Sequence, residues 1–124
     1  MKSALIEDRL ERLEEYADQR LKSIENLTIF SKDNFDKLKA ELINDITVSL
    51  DAFDCVMCHR SAFDIEQREL LKSYCKERKI PLIFFSGSIS SSTYYDLEYP
   101  LLYMNSMELY SSNILLFLVD LTVR

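Results

Sequence analysis

Two short apolar runs constrain this chain more than any other feature. Phe53-Asp54-Cys55-Val56-Met57-Cys58 is a short apolar run that reads as a central strand, and Ile80-Pro81-Leu82-Ile83-Phe84-Phe85 is nearly continuously apolar. The second kind of run suits a strand covered on both faces, as in a parallel sheet. Pro81 falls at the start of its run, where no ladder donor is required. Between the runs, Asp64 with Gln67 three residues on resembles a capping box. It opens a helical pattern in which Leu70, Leu71, Tyr74 and Cys75 form the apolar stripe, closed by the basic turn 76–79.

The same unit extends along the chain. Ser3-Ala4-Leu5-Ile6 is an apolar run that ends at Glu7-Asp8. Leu10, Leu13, Ala17, Leu21 and Ile24 then recur at helical spacing. Leu27-Thr28-Ile29-Phe30 reads as a strand. Asp33 or Asn34 is placed to cap a helix with Phe35, Leu38, Leu42 and Ile46 on its apolar face. After the serine-rich stretch 86–93, residues 94–99 suggest a short irregular helix, and Leu101-Leu102-Tyr103-Met104 a last strand. Met107 to Leu121 reads as a last helix, with a strand left open by its β-branched and aromatic content.

Strand and helix thus alternate about five times, which predicts a parallel sheet with helices on both faces. At 124 residues the chain is expected to form one domain, residues 1–124, and 48% hydrophobic content suffices for one core. One Gly and two Pro are few for an all-β protein. A net charge of −6 argues against a nucleic-acid partner, which wants a basic stripe. No signal-peptide h-region and no bilayer-length apolar stretch is read, so the expectation is a cytoplasmic, non-membrane protein whose three cysteines stay reduced.

The lone histidine, His59, ends the central run. Cys55-Val56-Met57-Cys58-His59 matches the C-x-x-C-H haem attachment pattern. Strand alternation opposes that reading, because residues three apart point to opposite faces and cannot grip one haem or one metal. Packing as small buried hydrophobes is the plainer role for both cysteines. There is no Gly-Lys-Ser/Thr ending to the loop at 86–92, no G-x-G-x-x-G after the first strand and no G-x-S-x-G elbow. Nucleotide and hydrolase readings are therefore unsupported.

Across its whole length this pattern resembles the receiver domain of bacterial response regulators. The residues that carry the resemblance are Ala4-Leu5-Ile6-Glu7-Asp8, the run Phe53 to Cys58, Pro81 to Gly87 and Leu102 to Ser106. The resemblance implies a flavodoxin-like (βα)5 fold, a three-layer α/β/α architecture around a five-stranded parallel sheet of order 2-1-3-4-5. It also implies that Glu7 and Asp8 are an acidic pair suited to a divalent metal and that Ser86 is the hydroxyl of the fourth strand. His59 falls where the family carries its phosphoacceptor aspartate, and Asn105 where it carries a lysine. Phosphoryl transfer needs an anionic oxygen nucleophile, a cation and a positive group on the developing charge. With two of these parts replaced, the chain reads as a pseudo-receiver, not an enzyme, with a degenerate pocket of Glu7, Asp8, His59, Ser86 and Asn105. No cofactor is expected, a divalent cation being left open.

The expected activity is signalling through a protein partner or a homodimer, independent of phosphorylation. Tyr95, Tyr103, Tyr110 and Phe117 are the candidate interface residues; tyrosines plugging a groove left by a shortened fourth helix is the alternative at that face. The runner-up is a small metal- or ligand-binding α/β protein using Glu7, Asp8, His59 and Ser86. A third, weaker reading is a structural subunit pairing through the helix at 10–24.

Overall fold

The computed structural model describes residues 2–8, 26–44, 49–89, 93–96 and 101–109. Six strands form one sheet: β1 (Ser3–Ile6), β2 (Leu27–Phe30), β3 (Cys55–His59), β4 (Leu82–Ser86), β5 (Thr93–Asp96) and β6 (Leu101–Asn105). Their spatial order is β2-β1-β3-β4-β6-β5. The first five in that order are all parallel, with Ile6 beside Cys58, His59 beside Phe85 and Ser86 beside Asn105. This is the expected α/β, flavodoxin-like parallel sheet of order 2-1-3-4-5, with one antiparallel strand added at its edge.

Two helices are packed on one face: α1 (Lys32–Ile43) and α2 (Ile65–Glu77). They share a face for a topological reason. The crossovers β2-α1-β3 and β3-α2-β4 both step across the sheet in the same direction, and parallel crossovers are right-handed. A single turn of helix, α3 (Ser106–Leu109), follows β6. The helical pattern at 10–24 and the remainder of the last helix, with Tyr110 and Phe117, lie outside the described residues, as do Ile46 and residues 97–100.

Local chemistry explains the helix starts. At α2, the Gln67 N–H donates to Asp64 Oδ1 (2.8 Å) and the Asp64 N–H to Gln67 Oε1 (3.0 Å), the reciprocal box expected from the sequence. At α1 the cap is Ser31, not Asp33 or Asn34. Asn34 instead stands at the third helical position, and its Oδ1 accepts the Ser31 N–H at 2.8 Å. A box needs its partner residue inside the first turn, so Asn34 serves the cap without being it. Asn26, which precedes β2, has φ 59, a left-handed conformation that Asn tolerates better than most residues.

Strand alternation divides the core in two. Ala4, Ile6, Val56, Cys58, Leu82 and Phe84 join Leu38, Leu42, Leu71 and Tyr74 beneath α1 and α2. Leu5, Cys55, Met57, Ile83, Phe85 and Met104 form the second cluster, with Leu109 of α3. Every residue of β1 and β3 is buried, as a doubly covered sheet requires. Cys55 and Cys58 fall in opposite clusters, so the C-x-x-C-H run cannot grip one haem.

A second expectation is overturned. The short irregular helix read over 94–99 is not formed at its start: Thr93–Asp96 is strand β5, antiparallel to β6 and on its outer side. The reason is topological as well as local. Two parallel neighbours such as β4 and β6 need the chain carried back to the starting end of the sheet, usually by a helix. Here β5 makes that return in the plane of the sheet, and its Thr-Tyr-Tyr sequence has high strand propensity. Tyr103 of β6 is half-buried against the first core cluster. Its ring is 5.5 Å from that of Phe84, and Lys72 Nζ of α2 is 5.8 Å from its centre. Tyr103 thus packs beside α2, between Phe84 and Lys72.

Candidate functional site

The carboxyl ends of the parallel strands gather most of the polar residues singled out by the sequence. Glu7 and Asp8 directly follow β1, and His59 ends β3. Because Ile6 pairs with Cys58, the next residues on the two strands, Glu7 and His59, arrive side by side. The Glu7 backbone N–H donates to Phe30 O of β2 at 3.2 Å, which anchors the acidic turn to the sheet. Glu7 is fully buried, His59 is 5% exposed and Asp8 is exposed. One carboxylate oxygen from each acid and one ring nitrogen of His59 lie within 4.8 Å of one another.

The His59 ring is held from two directions. It stands edge-on to Phe85, centroids 5.1 Å apart. Its Nδ1 accepts the backbone N–H of Ser61 at 3.1 Å and lies 2.8 Å from Ser61 Oγ. Ser61 belongs to a 3-10 turn, residues 60–62, which His59 thereby caps. A nitrogen that accepts a hydrogen bond carries no proton, so the neutral ring in this arrangement is protonated at Nε2.

Cys58 reports the charge around the cluster. Burial pushes its thiol well up from the usual range. Cys75, Glu7 and Asp8 add to that, and Arg68 opposes it. The two carboxylates and the Arg68 guanidinium therefore act on the same buried position. Arg68 is fixed by a bond from Nη1 to Arg60 O, 3.1 Å.

Ser86 and Asn105 sit side by side further along the strand ends and face a different network. Ser86 Oγ is 3.0 Å from Ser88 Oγ, and Arg60 Nη2 donates to Ser88 Oγ at 2.6 Å. Asn105 Nδ2 donates to Ile89 O at 2.7 Å and so ties the loop after β4 to the end of β6. The structure thus brings Glu7, Asp8 and His59 together as one cluster. Ser86 and Asn105 organise the neighbouring loop. Of the interface candidates, Tyr103 is described above, and Tyr95 lies on β5.

Three residues of the site escaped the sequence reading: Arg60, Ser61 and Arg68. For Ser61 a signal existed, since a hydroxyl two residues after a strand-end histidine is spaced for a local turn bond. Arg60 and Arg68 carried none, their placement depending on how α2 docks.

Compared with known proteins, the chain matches no family model, no curated protein and no solved structure. Among the described residues no helix is long and apolar enough to cross a membrane.

Proposed function

We propose that the chain is a receiver-like signalling module that works through protein–protein interaction, independently of phosphorylation, with self-association as one form of that interaction. The observation that carries this reading is the composition of the strand ends. A sheet of order 2-1-3-4-5 presents an acidic pair at β1, but an imidazole at the end of β3 and an amide at the end of β6. His59 is committed to its own turn through Nδ1, and Asn105 to Ile89 O. Neither offers the carboxylate nucleophile or the cationic side chain that phosphoryl transfer to an acyl phosphate uses. A pocket of this kind serves as a fixed structural element that positions the surrounding loops for a partner.

The test is intact-mass measurement after incubation with Mg²⁺ and a small acyl phosphate, followed by size-exclusion chromatography over a range of concentrations and a pull-down from the native host. The expected result is an unchanged mass together with a specific partner or a concentration-dependent dimer. A stoichiometric phosphoryl adduct would refute it.

A second reading has its own observation in favour. Glu7, Asp8 and His59 present three donor atoms within 4.8 Å, which suits a metal- or ligand-binding pocket. Ser86, the fourth member of that reading, is engaged with Ser88.

A further inference from the structure

We propose that Glu7, Asp8 and His59 form a binding site for a late first-row divalent transition ion, of the Co²⁺ or Zn²⁺ class, with Ser61 as the residue that positions the histidine. The inference deepens the second reading above and rests on it.

Donor geometry comes first. Metal–ligand bonds of about 2.1 Å put neighbouring ligand atoms roughly 3–3.5 Å apart around one ion. Three donor atoms already within 4.8 Å need only small side-chain movements to reach that spacing. Two of the three are anchored by the sheet, since His59 ends β3, Glu7 directly follows the neighbouring parallel strand β1, and both are buried. Asp8 is exposed and supplies the movable ligand on the solvent side, where water completes the shell.

Donor chemistry selects the ion. Mg²⁺ wants an octahedron of oxygens and keeps much of its water. An imidazole in place of a third carboxylate lowers the anionic charge and adds a nitrogen donor, which shifts preference toward Co²⁺, Ni²⁺, Cu²⁺ and Zn²⁺. Ser61 already occupies Nδ1, so Nε2 is the nitrogen an ion takes. That requires the ring proton to move to Nδ1. Ser61 Oγ, at 2.8 Å, is placed to accept it, as ligating histidines commonly donate their second N–H to a fixed acceptor. Ion binding therefore switches the tautomer: the Ser61 backbone N–H loses its acceptor and the Ser61 hydroxyl gains a donor. The 3-10 turn at 60–62 senses the ion through this exchange.

The experiment uses the whole chain after chelator treatment. Calorimetric titrations with Co²⁺, Zn²⁺ and Mg²⁺ are paired with ¹⁵N NMR of the imidazole, unambiguous because the chain has one histidine. Expected are saturable 1:1 binding of Co²⁺ and Zn²⁺, no competition by millimolar Mg²⁺, and conversion of His59 from the Nε2–H to the Nδ1–H tautomer with Zn²⁺. Asp8→Asn and His59→Gln should abolish saturable binding. Ser61→Ala should weaken it by about 10- to 100-fold. Asp8 and Ser61 are exposed, so their variants test the site even where His59→Gln is poorly folded. Co²⁺ binding with a thiolate charge-transfer band, or binding unaffected by Asp8→Asn, would place the ion on cysteines and overturn the proposal. Mg²⁺ binding as tight as Zn²⁺ and indifferent to His59→Gln would overturn the transition-ion assignment while leaving a metal pocket. Absence of any divalent binding would overturn both this proposal and the metal reading beneath it.

Discussion

Replacing His59 by aspartate puts a quantitative strain on the strand ends. The substitution places a third carboxylate beside Glu7, whose own carboxylate is fully buried within 4.8 Å of the position His59 now fills. At that separation, with an effective dielectric near 20, two like charges repel by about 3.5 kcal/mol. Asp8 is exposed and adds less, because solvent screens it. His59→Asn is the matched control, since it loses the ring and its Phe85 contact without adding charge. His59→Asp is therefore expected to be about 3 kcal/mol less stable than His59→Asn at pH 7 and low salt, which for a chain of this size corresponds to a melting temperature about 10 °C lower. The pH dependence has a definite sign. Like-charge repulsion raises the folded-state pKa of the crowded carboxyls, so their cost is present at neutral pH and disappears as pH falls through that raised value. Millimolar Mg²⁺ should also recover stability in His59→Asp alone, by about 2.7 kcal/mol at one hundred times its dissociation constant. Chemical denaturation of both variants at pH 7 and pH 4.5, with and without Mg²⁺, checks all of this. Equal stability of the two variants at pH 7 would refute the electrostatic account of the cluster.

Other perturbations test the fold around the site. Asp64→Ala removes the cap of α2 and should cost about 1 kcal/mol in urea denaturation. Ser3→Ala should be neutral or stabilising by about 1 kcal/mol, because Ser3 Oγ is buried without a hydrogen-bond partner; clear destabilisation would contradict that. Tyr74→Phe, which removes the hydrogen bond from Tyr74 to Asp51, should cost about 1–2 kcal/mol by the same assay. All three cysteines are buried, and burial pushes the thiols of Cys55 and Cys75 up to about 12. A thiol reagent at pH 8 should therefore modify none in the native chain and three in denaturant. Because the unfolded thiols ionise near pH 9 and the folded ones do not, stability should hold below that pH and fall as pH rises from about 9 toward 12.

Much of this arrangement is legible in the sequence because the decisive residues act locally or in fixed register. The runs ending at Ile6, His59 and Ser86 are buried strands, and period-two alternation alone separates Cys55 from Cys58. Strand ends in a parallel sheet converge, so Glu7, Asp8 and His59 could be grouped from their positions alone. Two features escaped for a different reason. Thr93–Asp96 becomes a strand because the outer edge of β6 is there to pair with it, a tertiary circumstance that the strand propensity of Thr-Tyr-Tyr alone does not establish. Ser31 takes the cap of α1 because the following Asn34 can reciprocate, and Asp33 and Asn34 are chemically equal candidates when judged singly.

The in-plane return through β5 also bears on how the protein avoids sticking to itself. Among the described residues, adding a strand beyond β6 puts the outermost edge of the sheet on β5, and an open edge is a template for aggregation. The pairing of β5 with β6 is irregular between Tyr94 and Asp96, where the register shifts. Such a break increases local twist and interrupts the row of backbone groups that an incoming strand would read. Asp96 is the last residue of the strand. Removing the irregularity by deleting Tyr95 would give a flatter, more continuous edge, and the cost would appear as precipitation during refolding before it appeared as lost stability.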